Sequence, residues 1–445
     1  MSAAAFPNWA MLEQFVFRRD GKKSFPDSST APIRASGTTS WGAKFRVAFV
    51  FAEPPRISRL YARLRGFPGP NQQVPLAFVA THRRLILLRV GKVLPSRVRL
   101  QDLFVYSAGD PSSLQAIPHC TLPEMNITRR DPRLPQELHT GKARLLALKS
   151  LGLLCRGEDE FVVVELKLFK FRRTEVYADI YLLRSSTSSA GPGLSPRWQS
   201  MRLPIRITDN TGISENTDDY WQLCLWQTEA VVPFDQWLCW IDHCRGILFC
   251  DVFGEPTPTV TFLRFPLGEF PTACDRRRGS SWLYRGVTAI DVDGHALMFV
   301  DVARNDDIGY GELKPGAGFT ITCYKLIDMV WVKEYNVTSE ELWNANPPER
   351  LPRTILMFPQ VDINKPHIVH FLISSYGKVM KKMWVVSINM ETKIVESFYQ
   401  YINGFDDRGT MDADLTTTKS GCPLPFLPCE FPKFLHSSRK RKDME

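Results

Sequence analysis

Short strand-like runs follow one another along almost the whole sequence, and they restrict the fold more than any other feature. About twenty runs of four to nine residues are rich in Val, Ile, Phe, Tyr and Trp, and Gly, Pro, Asp and Asn separate them. Examples are AKFRVAFVF (43–51), FVVVELKLF (161–169) and HIVHFLIS (367–374). The 32 prolines suit many connections and disfavour long helices. The pattern predicts an all-β chain.

The number of runs narrows the architecture. Twenty-odd strands are too many for one simple barrel or sandwich, whereas four-stranded blades would group them into about five or six. We therefore expect a β-propeller-like domain over residues 8–435 with one or two short helices. No clean repeat of forty to fifty residues is evident, so two separate β domains stay an alternative. Segments rich in small or charged residues are expected to be flexible: 20–40, 185–196 and 436–445.

Two segments have helical character. In VTSEELWNAN (337–346), Thr338 can cap a helix and Glu341 stands three residues later, as a capping box requires. QELHTGKARLLALKS (136–150) is the second helical candidate.

The composition indicates an intracellular protein. With 44% hydrophobic residues the chain can bury a large core, and it has neither a signal peptide nor an apolar run long enough to span a bilayer. Its ten cysteines then read as reduced thiols in the cytoplasm or nucleus. The basic run at 439–442 is either a nuclear import signal or a solvated tail.

The charge is unevenly distributed. Residues 1–150 contain 23 Lys and Arg against 9 Asp and Glu, although the whole chain has a net charge of only +9. Such a basic region suits an acidic protein partner or a nucleic-acid backbone, or is simply a solvated surface. No nucleic-acid-binding motif accompanies it.

The stretch WLCWIDHCRGILFCDVF (237–253) is predicted to form a hairpin buried on both faces. If residues 243–246 form the turn, strand alternation places six apolar or thiol side chains on one face. These are Trp237, Cys239, Ile241, Leu248, Cys250 and Val252.

The same stretch is a poor metal or nucleophile site. His243 and Cys244 would lie more than about 10 Å along the strands from the Cys239–Cys250 pair, too far for one Zn²⁺ ion. Nothing is placed to orient His243 as a base for a cysteine. The thiols are interpreted as small hydrophobic side chains of the core. Since GxSxG, HExxH and phosphate-loop motifs are also absent, we predict no catalytic residue, metal or cofactor.

Three consecutive arginines, Arg276, Arg277 and Arg278, are the best candidates for contact with a partner. Three guanidinium groups in a row suit carboxylates or phosphates, and a solvated loop is the alternative.

WIDHCRGILFCDVF (240–253), followed by VTFLRFPLGE (260–269), resembles the plant family known as domain of unknown function 1618, which is abundant in grasses. The family-defining segment would be about 237–370. The family is similar to the propeller-like domains that follow F-boxes in plant substrate adaptors and bind target proteins, although no F-box is recognised here. The resemblance implies no catalytic residues.

The favoured function is therefore a non-catalytic protein-interaction module with an unknown protein partner. A propeller-type hydrolase or lyase, and a nucleic-acid-binding protein that uses residues 1–150, are the alternatives.

Overall fold

The computed structural model describes most of the chain. The described ranges are 6–21, 24–67, 75–93, 99–122, 144–158, 160–172, 175–185, 196–209, 212–213, 217–254, 256–267, 281–291, 295–306, 309, 311–375, 382–403 and 425–435. Strands dominate these residues, so the all-β prediction is confirmed.

The first sheet has nine strands and joins sequence regions from the beginning and the end of the described chain. Its strands are β1 (Ala10–Arg18), β2 (Ile33–Thr38), β3 (Lys44–Val50), β4 (Ile57–Arg63), β5 (Leu76–His82), β6 (Leu85–Val93), β7 (Arg99–Ser107), β8 (Asp110–Ile117) and β26 (Leu427–Cys429). They lie in the order β26-β1-β4-β3-β2-β8-β7-β6-β5. β26 is antiparallel to β1, and β1 is parallel to β4.

The second sheet nearly closes on itself. Its strands are β9 (Leu151–Arg156), β10 (Glu160–Arg172), β11 (Glu175–Arg184), β12 (Trp198–Asp209), β13 (Gly212–Ile213), β14 (Ala230–Phe234), β15 (Trp237–Asp242), β16 (Gly246–Asp251) and β17 (Val260–Arg264). The order is β14-β15-β16-β17-β12-β11-β10-β9, with β13 beside β12. The two edge strands approach each other, since β9 contacts β14 and β15.

Two four-stranded antiparallel sheets complete the fold. One contains β18 (Arg285–Ile290), β19 (Ala296–Arg304), β20 (Phe319–Ile327) and β21 (Val330–Thr338), and the other β22 (Met357–Val361), β23 (Ile368–Ser375), β24 (Lys382–Asn389) and β25 (Val395–Ile402). In both, the strands lie in sequence order.

The helices of the described residues are all short. They are α1 (Thr217–Cys224), α2 (Ser281–Tyr284), α3 (Ser339–Ala345), a 3₁₀ turn at Leu148–Ser150 and a helical segment at 431–435. There are therefore more helices than the one or two expected. Among these described helices, none has the length and apolar character needed to cross a membrane.

Five contacts, two of them within a sheet, join strands from successive parts of the chain. β1 contacts β5, β5 contacts β9, β9 contacts β14, β14 contacts β18, and β18 contacts β22. β1 also packs toward the fourth sheet, because Met11 and Phe17 share a core with Val369 and Phe371 of β23. Its alternate residues, such as Leu12, enter a different core with the rest of the first sheet. Because its alternate side chains lie in two different cores, β1 connects the first sheet with the fourth.

The predicted capping box is confirmed at α3. The backbone N–H of Glu341 donates to Oγ1 of Thr338 at 3.3 Å, and the N–H of Thr338 donates to the Glu341 carboxylate at 2.8 Å. Lys393 also donates to this carboxylate at 2.6 Å, and these hydrogen bonds lower the pKa of Glu341 to about 2.

Replacing Thr338 by alanine is expected to lower the free energy of unfolding by about 1 kcal/mol, because the Glu341 N–H loses its acceptor. Denaturant titration of the two proteins measures the difference. Thr338→Ser retains the hydroxyl and should be nearly neutral; equal losses for both variants would contradict the capping role.

The predicted hairpin at 237–253 exists as β15 and β16, but the predicted pairing register was wrong by one residue. Cys239 pairs with Phe249 and Leu238 pairs with Cys250, so the turn has three residues rather than four. Gly246 belongs to the strand: a Cβ at this position would overlap the carbonyl oxygen of Leu263 on β17. The prediction placed this glycine in the turn, and this shifted the predicted cross-strand partner of every later residue by one position.

The corrected register divides the six predicted face residues between two cores. Trp237, Cys239 and Ile241 face the third sheet with Phe249, whereas Leu248, Cys250 and Val252 lie in the core of the second sheet with Trp240. Both faces are buried, as predicted.

Of the other predicted segments, one contains a strand and the rest lie wholly or mostly outside the described residues. Strand β2 occupies residues 33–38, within the segment 20–40 that was expected to be flexible. Most of 185–196, all of 436–445 and most of the helical candidate at 136–150 lie outside the described residues.

Candidate functional site

A groove lined with basic side chains opens on strands β2, β3 and β4. Its volume is about 740 Å³. The lining residues are Ser36, Gly37, Thr38, Lys44, Phe45, Arg46, Arg63, Arg65 and Leu114. Four of them are cations and none is an acid, so the groove is suited to an anionic ligand.

Strand alternation explains why these cations share one face. In β3, Phe45 and Val47 are buried in the core of the first sheet, which leaves Lys44 and Arg46 exposed on the opposite face. The register places Arg46 beside Ser36 of β2 on one side and beside Arg63 of β4 on the other. Three hydrogen-bond donors therefore lie in a row across three strands.

The backbone carbonyl of Asp20 orients two of the arginines. It accepts hydrogen bonds from Nε of Arg63 at 3.2 Å and from Nε of Arg65 at 3.1 Å. The carboxylate of Asp20 is engaged elsewhere, because it accepts from Nε of Arg18 at 2.8 Å and from the N–H of Leu64 at 2.7 Å. The backbone thus holds the two guanidinium groups without neutralising them.

The four groove cations have no acidic partner among the described residues. None of the ion pairs among the described residues involves Lys44, Arg46, Arg63 or Arg65. Elsewhere in the molecule, arginines are commonly paired, as Arg202 is with Asp179 and Arg304 with Asp306. The groove therefore presents uncompensated positive charge.

A second polar site, here called the turn cluster, surrounds the β15–β16 turn. It consists of Glu229, Asp242, His243, Cys244, Arg245, Ser281, Arg285 and Asp301. Asp242 accepts from Nη1 of Arg245 at 2.7 Å, and Nδ1 of His243 lies 2.9 Å from Glu229. Arg285 donates to Asp301 and to the carbonyl of His243, both at 2.7 Å. The cluster fixes the turn to β14, α2, β18 and β19.

The turn cluster pairs its charges internally and has no activated nucleophile. Burial raises the pKa of the Cys244 thiol, so it stays protonated, and its sulfur lies 2.9 Å from Oγ of Ser281. Burial also raises the pKa of Asp242, an effect that Arg245 only partly offsets. Burial would raise the pKa of Glu229 too, but hydrogen bonds from His243 outweigh it and the pKa is lowered. This arrangement is structural.

A third polar arrangement crosses the fourth sheet. Nε2 of His370 lies 3.3 Å from Asp362, and its Nδ1 lies 2.8 Å from Oγ of Ser387. The order Asp–His–Ser is that of a serine-hydrolase triad, but the ring nitrogens are exchanged, because in such a triad Nε2 contacts the serine and Nδ1 contacts the carboxylate. In addition, His370 and Ser387 are each 3% exposed and the ring of Trp9 lies 5.8 Å from that of His370, so a substrate does not reach the hydroxyl in this conformation.

The predicted site residues stand apart from the groove. Arg276, Arg277 and Arg278 lie outside the described residues, between β17 and α2. The cysteines of the 237–253 stretch form no disulfide bond, and within the described residues no group of three or more potential ligands could hold a metal ion. The basic excess of residues 1–150 signalled the groove region, but it did not identify the residues that line it.

Residues 240–370 match the family model described as "Protein of unknown function (DUF1618)". This agrees with the segment 237–370 expected from the resemblance. The matched segment begins in β15, includes every residue of the turn cluster except Glu229, and ends in β23, whereas β2, β3 and β4 lie outside it. No curated protein matches the chain.

Proposed function

We propose that the chain, whose residues 240–370 match the DUF1618 family model, is a β-propeller-like protein-interaction module that binds an acidic segment of a partner protein. The observation that carries the proposal is the groove of about 740 Å³, whose described lining residues include four cations without an acidic partner and no acidic side chain. A partner segment rich in Asp and Glu would supply the missing negative charge.

The propeller-like arrangement is supported by the grouping of the strands. Five consecutive groups of four neighbouring strands are β5–β8, β9–β12, β14–β17, β18–β21 and β22–β25, and β1–β4 with β26 make a sixth. The first strands of consecutive groups contact each other from β1 to β22, as expected when blades surround an axis. An experimental structure is expected to contain six radially arranged blades, and two independent sandwiches would contradict this.

A protein partner is favoured over nucleic acid because the described lining residues of the groove include no exposed aromatic side chain. Among them Phe45 is the only aromatic residue, and it is 2% exposed. Base stacking on aromatic rings is a major part of single-strand recognition. The hydrolase alternative rests on the Asp362–His370–Ser387 chain, whose burial disfavours it.

Reversing the charge at two groove positions is expected to abolish binding of an acidic probe. The probe is a labelled ten-residue peptide of Glu, Asp and Gly, titrated by fluorescence anisotropy against the full chain. Arg46→Glu combined with Arg63→Glu should weaken binding more than tenfold, because both cations of the central row are replaced by anions. Raising the salt concentration should weaken binding to the original protein.

Two further variants and one further probe make this test specific. Arg350→Glu reverses an exposed arginine outside the groove lining and should leave binding unchanged. Reversal of Arg276, Arg277 and Arg278 together determines whether that segment contributes instead of the groove. Preferential binding of a single-stranded oligonucleotide, with a steep dependence on salt, would favour the nucleic-acid alternative and contradict the proposal.

A further inference from the structure

The groove contains a pair of like charges that the sheet itself does not require. Arg46 and Arg63 are directly opposite each other on the antiparallel strands β3 and β4. Like charges in this position repel, and the described residues provide no carboxylate to separate them. Both side chains lie on the face away from the core of the first sheet, so packing does not explain why the two are arginines.

The neighbouring donors define the anion that would relieve this repulsion. Adjacent strands are about 4.8 Å apart, so an anion over the strands can contact two guanidinium groups at once. Ser36, opposite Arg46 on β2, adds a hydroxyl to the same row. A carboxylate has two oxygens and a single charge, which one guanidinium fork satisfies. A phosphate monoester has three terminal oxygens and a charge of about −1.5 to −2, which fits two guanidinium groups and a hydroxyl.

The next row of the groove differs in character. Thr38 of β2 is opposite Lys44 of β3, and Arg65 follows the end of β4. A lysine is a single point charge rather than a planar fork. This row suits carboxylates beside the central anion.

We propose that the groove recognises a phosphorylated serine or threonine in an acidic segment of the partner. The phosphate lies over Arg46, Arg63 and Ser36, and neighbouring acidic side chains face Lys44 and Arg65. Binding of the partner would then depend on a kinase and a phosphatase. This inference rests on the proposed function, since it concerns the same groove.

The test compares three peptides that differ at one position. Each is a seven-residue peptide of Gly and Asp with a central phosphoserine, serine or glutamate, titrated against the full chain by fluorescence anisotropy. The phosphoserine peptide is expected to bind at least tenfold more tightly than the glutamate peptide. Inorganic phosphate is also titrated with the original protein and followed by ³¹P NMR. Binding is expected to broaden the ³¹P signal of the added phosphate.

Variants then connect the preference to the opposed pair. Arg46→Ala and Arg63→Ala should each remove the preference for phosphoserine. Arg46→Ala should not lower the melting temperature, because it removes a repulsion, whereas Arg63→Ala also removes the hydrogen bond to the Asp20 carbonyl. Arg46→Lys retains the charge but not the fork and should lose most of the preference. Arg350→Glu should retain it.

The outcomes separate the two proposals. Equal binding of the phosphoserine and glutamate peptides would overturn phosphate recognition and leave the acidic-partner proposal standing. If none of the peptides binds and the ³¹P signal is unaffected, both proposals are wrong. A preference that persists in Arg46→Ala and Arg63→Ala would place phosphate recognition elsewhere and overturn this inference.

Discussion

Replacing Asp242 by alanine is expected to lower the free energy of unfolding by about 3–5 kcal/mol, because a buried arginine is left without its counter-ion. Asp242 is 1% exposed and Arg245 is 3% exposed. The Asp242 carboxylate also accepts hydrogen bonds from the N–H groups of Gln227 and Cys244, each at 2.9 Å. An arginine does not deprotonate to avoid the cost, so the positive charge stays in the core. Denaturant titration followed by tryptophan fluorescence measures the loss.

Removing the arginine instead should have a milder effect that depends on pH. In Arg245→Met the remaining carboxyl of Asp242 takes up a proton, since burial already raises its pKa. The folded state then retains this proton to higher pH than the unfolded chain, whose Asp pKa is about 3.9. The variant is therefore expected to be most stable below about pH 4 and to lose stability as the pH rises through the raised pKa.

The double variant tests whether the pair acts as a unit. Asp242→Ala with Arg245→Met should be more stable than Asp242→Ala alone, because no unpaired charge is left in the core. Glu349→Ala, at an exposed site, should change stability by less than about 0.5 kcal/mol. If Asp242→Ala is as harmless as this control, the turn cluster does not stabilise the fold.

Replacing Phe431 by alanine is the second change expected to have a large effect, of about 3–5 kcal/mol. Phe431 lies two residues after the end of β26 and is fully buried in the core of the first sheet. Its ring stacks on Tyr106 of β7 at a centroid distance of 5.3 Å and lies 6.4 Å from Phe49 of β3. The truncation leaves a cavity among these rings and weakens the attachment of β26 to β1.

A matched substitution separates burial from residue type. Phe171 is 59% exposed, so Phe171→Ala should lower stability far less than Phe431→Ala does. Thermal unfolding of both variants gives the comparison, and limited proteolysis reports whether 425–435 is released before the rest of the chain unfolds. Equal shifts in melting temperature would mean that this part of the core adds little stability.

The features that the sequence predicted correctly depend on residues close together in the chain. The capping box at Thr338 and Glu341 requires only a spacing of three residues, and the strand runs are recognisable from alternation. The hairpin at 237–253 was found for the same reason. Its register was missed because the position of Gly246 is determined by the close approach of β17, which local sequence does not reveal.

The groove, our candidate functional site, shows the same limit of prediction from local sequence. The alternation in KFRV indicates that Lys44 and Arg46 share a face, and the alternation in RLR indicates the same for Arg63 and Arg65. That Arg46 lies opposite Arg63 follows only from the pairing of β3 with β4. The sequence therefore predicted a basic region, whereas the three-dimensional register was needed to identify the residues of the proposed anion site.

The pairing of β26 with β1 determines when the fold can be completed during synthesis. Ala10 pairs with Cys429, so more than four hundred residues separate the two partners. At the usual rates of translation, roughly 20–80 s pass between the synthesis of the two strands. Throughout that time β1 exposes an unpaired edge, and the core that receives Phe431 stays open. We expect the nascent chain to depend on chaperones during this interval, because an exposed strand edge promotes aggregation.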